Sequence, residues 1–272
     1  MLETALDIIE QPDQWRERYR AWQPKARTDK NLDRYPFVEN SRAPFTPARR
    51  AISMMNVALI VSAGAYIDGT YPFDTTAADG DLNFREIPSD INLSDLRFTA
   101  RGYDPTFVQQ DANVQVPLAR LHEFESNRII AQVNSSFWSF CGFIPDAGRL
   151  TEEMIPKLVE RVHRYEVQSA LLIPASALCH QSVVLIARAI EHSGIPTMTL
   201  GVRREILESV HPPRAGYYEG ELGSVAGKPK WPEHQRRVLD EALRWLEPMG
   251  QPGIRKLVVE LESKVEVDRG ER

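Results

Sequence analysis

This chain is defined first by scarcity. Its 272 residues hold two cysteines, Cys141 and Cys179, too few for a disulfide scaffold, so it reads as a cytoplasmic protein with reduced thiols. No apolar run approaches the ~20 residues that span a bilayer. The start, Met1-Leu2-Glu3-Thr4-Ala5-Leu6-Asp7, lacks the basic and apolar regions of a signal peptide. Positive charge is not in surplus either: the net charge is −5, so neither nucleic acid nor an anionic membrane is the expected partner. Besides His180, the histidines His122, His163, His192, His211 and His234 are scattered without ligand spacing, which argues against a metal. There is no G-x-G-x-x-G fingerprint for a dinucleotide and no G-x-S-x-G elbow for a hydrolase, and no cofactor is expected in the chain.

What is present has the order of an α/β protein. Trp15, Tyr19 and Trp22 have helical spacing, and a proline-rich extended arm follows to about Arg50. We divide the chain into this N-terminal helix and arm (1–50) and an α/β domain ending in helices (51–272). Asn56–Val61 is a short, β-branched apolar run that stops at Ser62-Ala63-Gly64, the pattern of a buried parallel strand and its turn. A weak strand at Leu82–Ile87, a helix at Val116–Ser126 and a second buried strand at Ile129–Val133 follow. Residues 134–148 read as a loop rich in serine, glycine and aromatics. A helix with its apolar stripe at Ile155, Leu158, Val159 and Val162 comes next, then a strand at Ala170–Ile173. A helix through Val183–Ile190 and a strand at Thr197–Leu200 continue the alternation, and Trp231–Leu246 and Ile254–Leu261 read as helical. The order predicts a parallel sheet with helices on both faces, of the doubly wound type. Ligands of such sheets bind at the carboxyl ends of the strands, where the Ser62–Gly64 turn, the 134–142 loop and Ser176–His180 would converge on one crevice.

The chemistry-bearing segment is Pro174-Ala175-Ser176-Ala177-Leu178-Cys179-His180. A thiol in the first turn of a helix is biased toward thiolate. Cys179 is therefore either a nucleophile or a small buried core residue. His180 is a general acid or base, or a local hydrogen-bonding partner. Ser176 is a nucleophile, an anion donor or a helix cap, with capping the better default. Arg85, in Gly80-Asp81-Leu82-Asn83-Phe84-Arg85, offers a fork for a carboxylate, or else a surface ion pair. Arg101-Gly102-Tyr103-Asp104 is a second candidate segment. Cys141 lies in an aromatic loop whose default role is packing.

At these residues the chain resembles the B subunits of glycine, sarcosine and betaine reductases and the matching subunit of D-proline reductase. The resemblance covers roughly residues 45–200. It is carried by Val57–Gly64, Gly80-Asp81 with Phe84-Arg85 and Ile87-Pro88, Gly102-Tyr103-Asp104, Asp111 and Asn113 with Pro117-Leu118, and the Cys179-His180 segment. It implies a small amino-acid-like or amine substrate, reductive cleavage of a carbon–nitrogen bond and a partner reductase subunit. A homo-oligomer is expected as well. Within that reading Cys179, His180 and Ser176 carry catalysis, and Arg85, Asp81, Tyr103, Ser62 and Gly64 line the substrate site. In the family a selenocysteine lies three residues before the cysteine, where this chain has Ser176, so the relative is selenium-free. A histidine often precedes the family's Gly-Tyr-Asp motif; here the neighbours are Thr99-Ala100-Arg101. Two further readings come from other classes: a non-catalytic binding or regulatory subunit, and a non-redox lyase or hydrolase using Ser176 and His180.

Overall fold

The computed structural model describes residues 8–29, 32 and 34–259, the side chains of 24–29 apart. Helix α1 (Pro12–Asp29) and an extended arm lead to β1 (Asn56–Val61), followed by β2 (Ala65–Ile67), β3 (Phe84–Pro88) and β4 (Leu96–Phe98). Helices α2 (Thr106–Gln110) and α3 (Leu118–Ser126) precede β5 (Gln132–Val133) and β6 (Ser136–Phe140). A helical turn, α4 (Ala147–Arg149), passes through a π-turn (Leu150–Met154) into α5 (Ile155–Arg164). The rest alternates: β7 (Ser169–Ile173), α6 (Ala177–His192), β8 (Thr197–Gly201), α7 (Arg204–Val210), β9 (Arg214–Tyr217), α8 (Pro232–Leu243) and β10 (Gly253–Lys256).

The strands form a mostly parallel sheet in the order β10-β9-β8-β7-β1-β6-β3, with β3 antiparallel to β6 and the short β5 also on β1. Strands β2 and β4 make a separate antiparallel ribbon. Because β6 and β7 flank β1 on opposite sides, the chain reverses its travel across the sheet there. That reversal opens the carboxyl ends of β1, β6 and β7 for a site.

Alternate residues of the central strands feed two cores. Ala58, Ile60, Trp138, Phe140 and Leu172 pack with α5 and α6, whereas Val57, Leu59, Phe137, Leu171 and Ile173 pack with α3 and α8. Covered on both faces, these strands have no use for polar alternation. Helix α6 is buried from Leu178 to Glu191, so its apolar residues encircle it rather than form a stripe. Each fully buried leucine or isoleucine there is worth about 1.5–3 kcal/mol. The arm joins the first core through Trp15, Tyr19, Trp22, Tyr35 and Val38. The edge-to-face contact of Trp22 on Tyr35, with ring centroids 5.0 Å apart, ties α1 to the arm that follows it.

Three expectations change. The strand read at Ile129–Val133 shrinks to Gln132–Val133, and the true neighbour of β1 is Ser136–Phe140, inside the stretch read as loop. All five residues of β6 are buried. Serines between the aromatics hide it, because a strand covered on both faces accepts small polar and large apolar residues alike. The helix read at Ile254–Leu261 begins instead as β10, pairing with β9 from Gly253 to Lys256, and Leu261 lies outside the described residues. Helix α7 and strand β9 were not anticipated. Pro156 stands at the second position of α5, where its missing N–H does least harm.

Candidate functional site

Three strand ends are laced together at the predicted place. The Ser62 N–H donates to the Ile173 carbonyl (3.1 Å), Gly142 N–H to the Ser62 carbonyl (3.0 Å) and Gly64 N–H to the Phe140 carbonyl (2.9 Å). The Ser62 hydroxyl accepts from Ala175 N–H at 2.9 Å. Gly64 has φ +69°, and a Cβ there would lie 2.4 Å from the Thr99 carbonyl oxygen, so the turn admits only glycine. Gly142 is required for a different reason: its Cβ would lie 2.8 Å from Cys179 Sγ. The turns therefore do converge, but they close over the sulfur rather than leave a crevice. Cys179 and His180 are 0% exposed and Ser176 is 1% exposed.

Ser176 is the N-cap of α6. Its extended backbone (φ −123°, ψ 175°) lets Oγ accept from Cys179 N–H at 3.2 Å. The hydroxyl's own proton points at Cys179 Sγ, 3.0 Å away. The sulfur also lies 3.8 Å from the Ser62 carbonyl oxygen and packs with Ala63, Ala175, Phe98 and Tyr103. It thus accepts from one hydroxyl, donates to the Ser62 carbonyl and has the N-terminus of a 16-residue helix beside it.

His180 does something other than the acid–base role expected of it. Nδ1 donates to the Ser176 carbonyl at 2.7 Å, and Nε2 accepts from Val202 N–H at 3.0 Å. Because a backbone N–H can only donate, the ring carries its proton on Nδ1 and is neutral. Burial, the largest influence, pushes its pKa down to about 4, against the opposing bond to Ser176. Both nitrogens are committed to backbone, so the ring joins the turn after β7 to the turn after β8. Neither is left for the Ser176 hydroxyl or the Cys179 thiol, and a Ser–His hydrolytic pair is not assembled.

The remaining candidates divide. Tyr103 sits over the site: its hydroxyl donates to the Ala63 carbonyl at 2.7 Å, and burial, then Cys179 and Cys141, push its pKa up. Cys141, with Sγ 3.8 Å from the Thr99 carbonyl oxygen, is pushed up to about 12, mainly by burial. Asp81 is a turn builder whose carboxylate accepts from Asp74 N–H (2.8 Å), Asn83 N–H (2.9 Å) and Asn83 Nδ2 (2.7 Å). Arg85 lies over the Phe73 ring at 4.4 Å and reaches the Tyr71 carbonyl, so its contacts are with the 71–73 segment and not with the thiols. Sequence reasoning undervalued Arg101. It stacks on Phe143 at 4.8 Å, and its charge pulls against the burial of Cys141. The available signal was its place beside Gly102-Tyr103. Among the described residues, no three or more His, Cys, Asp or Glu side chains are placed to hold a metal, and no helix is long and apolar enough to cross a membrane.

With this geometry in hand, comparison with known proteins is decisive at the family level. The family model for glycine/sarcosine/betaine reductase selenoprotein B matches residues 27–174. The chain belongs to that family. Its match ends at Pro174, on the threshold of the Ser176–Cys179 turn. The chain is 29% identical to the D-proline reductase subunit gamma of Acetoanaerobium sticklandii over 202 residues, which are 74% of this chain and 82% of that one. It is 23% identical to the glycine reductase complex component B subunit gamma of Symbiobacterium thermophilum, over 60% of this chain and 38% of the relative. It is 26% identical to the sarcosine reductase complex component B subunit beta of Peptoclostridium acidaminophilum, over 61% and 38%. No solved structure matches it.

Proposed function

We propose that this member of the reductase B family is a selenium-free subunit of an amino-acid reductase complex in the cytoplasm. It acts on a small amino-acid-like or amine substrate and cleaves its carbon–nitrogen bond through the Cys179 thiolate. The observation that carries this reading is the Ser176 hydroxyl aimed at Cys179 Sγ from 3.0 Å, at the N-terminus of α6. A serine cannot stand in for a selenocysteine as a redox atom, but its hydroxyl can donate to the neighbouring sulfur. In the step itself the sulfur bonds to the substrate carbon as the carbon–nitrogen bond breaks, and the nitrogen departs with the bonding pair and is protonated. An external dithiol then supplies two electrons and two protons, becomes a disulfide, and returns Cys179 as thiol with a new carbon–hydrogen bond on the product. An amine leaves poorly unless it is activated, which is the task left to a partner subunit.

A second reading, a non-catalytic binding subunit, is favoured by one observation: Cys179 is wholly covered. Alkylation separates the two. Iodoacetamide labelling followed by mass spectrometry across pH 6–10 should modify Cys179 well ahead of Cys141, whose thiol is held protonated by burial. An inert Cys179 would remove the catalytic reading and leave the binding subunit.

A further inference from the structure

We propose that Arg101 is the residue that recognises the substrate's carboxylate, beside Phe143, Gly102 and Tyr103, in the segment that covers Ser176 and Cys179. This rests on the site being the substrate site, as proposed above, and adds which side chain reads the substrate's carboxylate. Contacts connect the arginine to the thiol. Its guanidinium lies 4.8 Å from the Phe143 ring centroid. A Cβ on Gly102 would lie 2.5 Å from that ring and 3.3 Å from Ser176 Cβ. Tyr103 packs on Cys179. Arg101 is half-buried and Gly102 exposed, so the covering above Ser176 is one backbone segment thick.

The guanidinium also has donors to offer. Among the described residues Nη1 donates to the Ala77 carbonyl at 2.8 Å, and the Asp74 carboxylate feels its charge without forming an ion pair with it. The Phe143 ring holds the guanidinium through a cation–π contact, and a guanidinium fork suits a bidentate carboxylate. Arg85, the forked side chain expected from sequence to do this, is held instead against Phe73 and the Tyr71 carbonyl.

The test uses calorimetry on the full chain with Cys179→Ala, which removes chemistry from the measurement. Glycine, sarcosine and D-proline are titrated beside methylamine, dimethylamine and pyrrolidine, the same nitrogens without the carboxylate. At least one amino acid should bind more tightly than its amine. Arg101→Gln should weaken that amino acid by roughly tenfold or more, as expected for losing a charged hydrogen bond. Arg101→Lys should fall between, and amine binding should not move. The proposal is overturned if a folded Arg101→Gln chain binds as before, if the loss follows Arg85→Gln instead, or if no amino acid outbinds its amine. With Cys179 present, the ratio of iodoacetate to iodoacetamide labelling should drop in Arg101→Gln. An inert thiol in a chain that still binds amino acids through Arg101 would instead count against Cys179 catalysis alone.

Discussion

The two ends of helix α6 are equally buried and differently employed. At the C-terminal end, the side chains of Glu191 and Arg214 are fully covered and paired. Glu191 also accepts from the Thr197 N–H at 2.7 Å and from its hydroxyl at 3.1 Å. Arg214 donates to the Thr46 carbonyl at 2.8 Å and stacks on Phe45 at 4.0 Å. Arg188 reaches the Ile8 carbonyl at 2.9 Å and the His211 carbonyl at 2.8 Å. This end clasps the N-terminal arm. At the other end, the Cys179 sulfur lies between the Ser176 hydroxyl at 3.0 Å and the Ser62 carbonyl oxygen at 3.8 Å. Burial is common to both ends, so it does not distinguish anchoring from chemistry. The difference lies in the kind of group held: the C-terminal end buries an ion pair, with Arg214 Nε left without a partner among the described residues, whereas the other end buries a thiol between a hydroxyl and a carbonyl.

The sharpest test of that contrast is a pair of substitutions with opposite signatures. On the proposed reading Cys179→Ala removes the nucleophile and should lower turnover of the assembled complex by at least about 10³. Its urea midpoint should hardly move, because alanine fits a pocket built of Ala63 and Ala175. Glu191→Ala should do the reverse. Leaving Arg214 buried without its partner costs about 3–5 kcal/mol in urea unfolding. No reacting atom is touched. A Cys179→Ala chain that unfolded more readily than Glu191→Ala would break the comparison.

Much of this arrangement was legible in sequence, for a physical reason. Strands β1, β7 and β8 are short β-branched runs punctuated by small residues, and Ser176 before Ala177-Leu178 is a cap before a helix, so local pattern sufficed. Strand β6 was hidden because its serines and aromatics are all buried between two covered faces, which removes the alternation that marks an ordinary strand. Strand β10 exists through its pairing with β9, a long-range fact that no local window contains. At the site, sequence placed Cys179 and Ser176 together because they share one helical turn. It did not foresee that both nitrogens of His180 would be taken by backbone, one of them through Val202, nor that Arg85 would lie against Phe73, because both contacts depend on how distant segments fold together.

Acid offers a milder probe of the same contrast. His180 is held neutral with its pKa lowered to about 4, by burial first and Arg203's charge second. His234 is also lowered to about 4, by burial and then by Lys228 and Arg237. In the unfolded chain both histidines bind protons near their ordinary 6.5. The unfolded state therefore takes up more protons as pH falls. Stability is complete above about pH 6.5 and declines toward pH 4, by at most about 1.4 kcal/mol per pH unit for each histidine. Because the Val202 amide donates to His180, its hydrogen exchange should lose protection over this range before the amides of α6 near Glu191 do. Equal loss at both places would say that the two ends are not independent.

The smallest effect is the most discriminating. Ser176→Ala removes the cap on Cys179 N–H and should cost about 1 kcal/mol, together with slower alkylation of Cys179. Those two losses have different causes, and Ser176→Asp separates them. An aspartate caps a helix as well as serine does, and its charge suits the helix N-terminus, so stability should recover. A carboxylate has no proton to give the sulfur and repels a thiolate, so alkylation should become slower than in Ser176→Ala. If the aspartate chain is alkylated as fast as the serine chain, the hydroxyl serves only the helix. Its approach to Cys179 Sγ would then be a by-product of capping, and the two ends of α6 would differ less than their hydrogen bonds suggest.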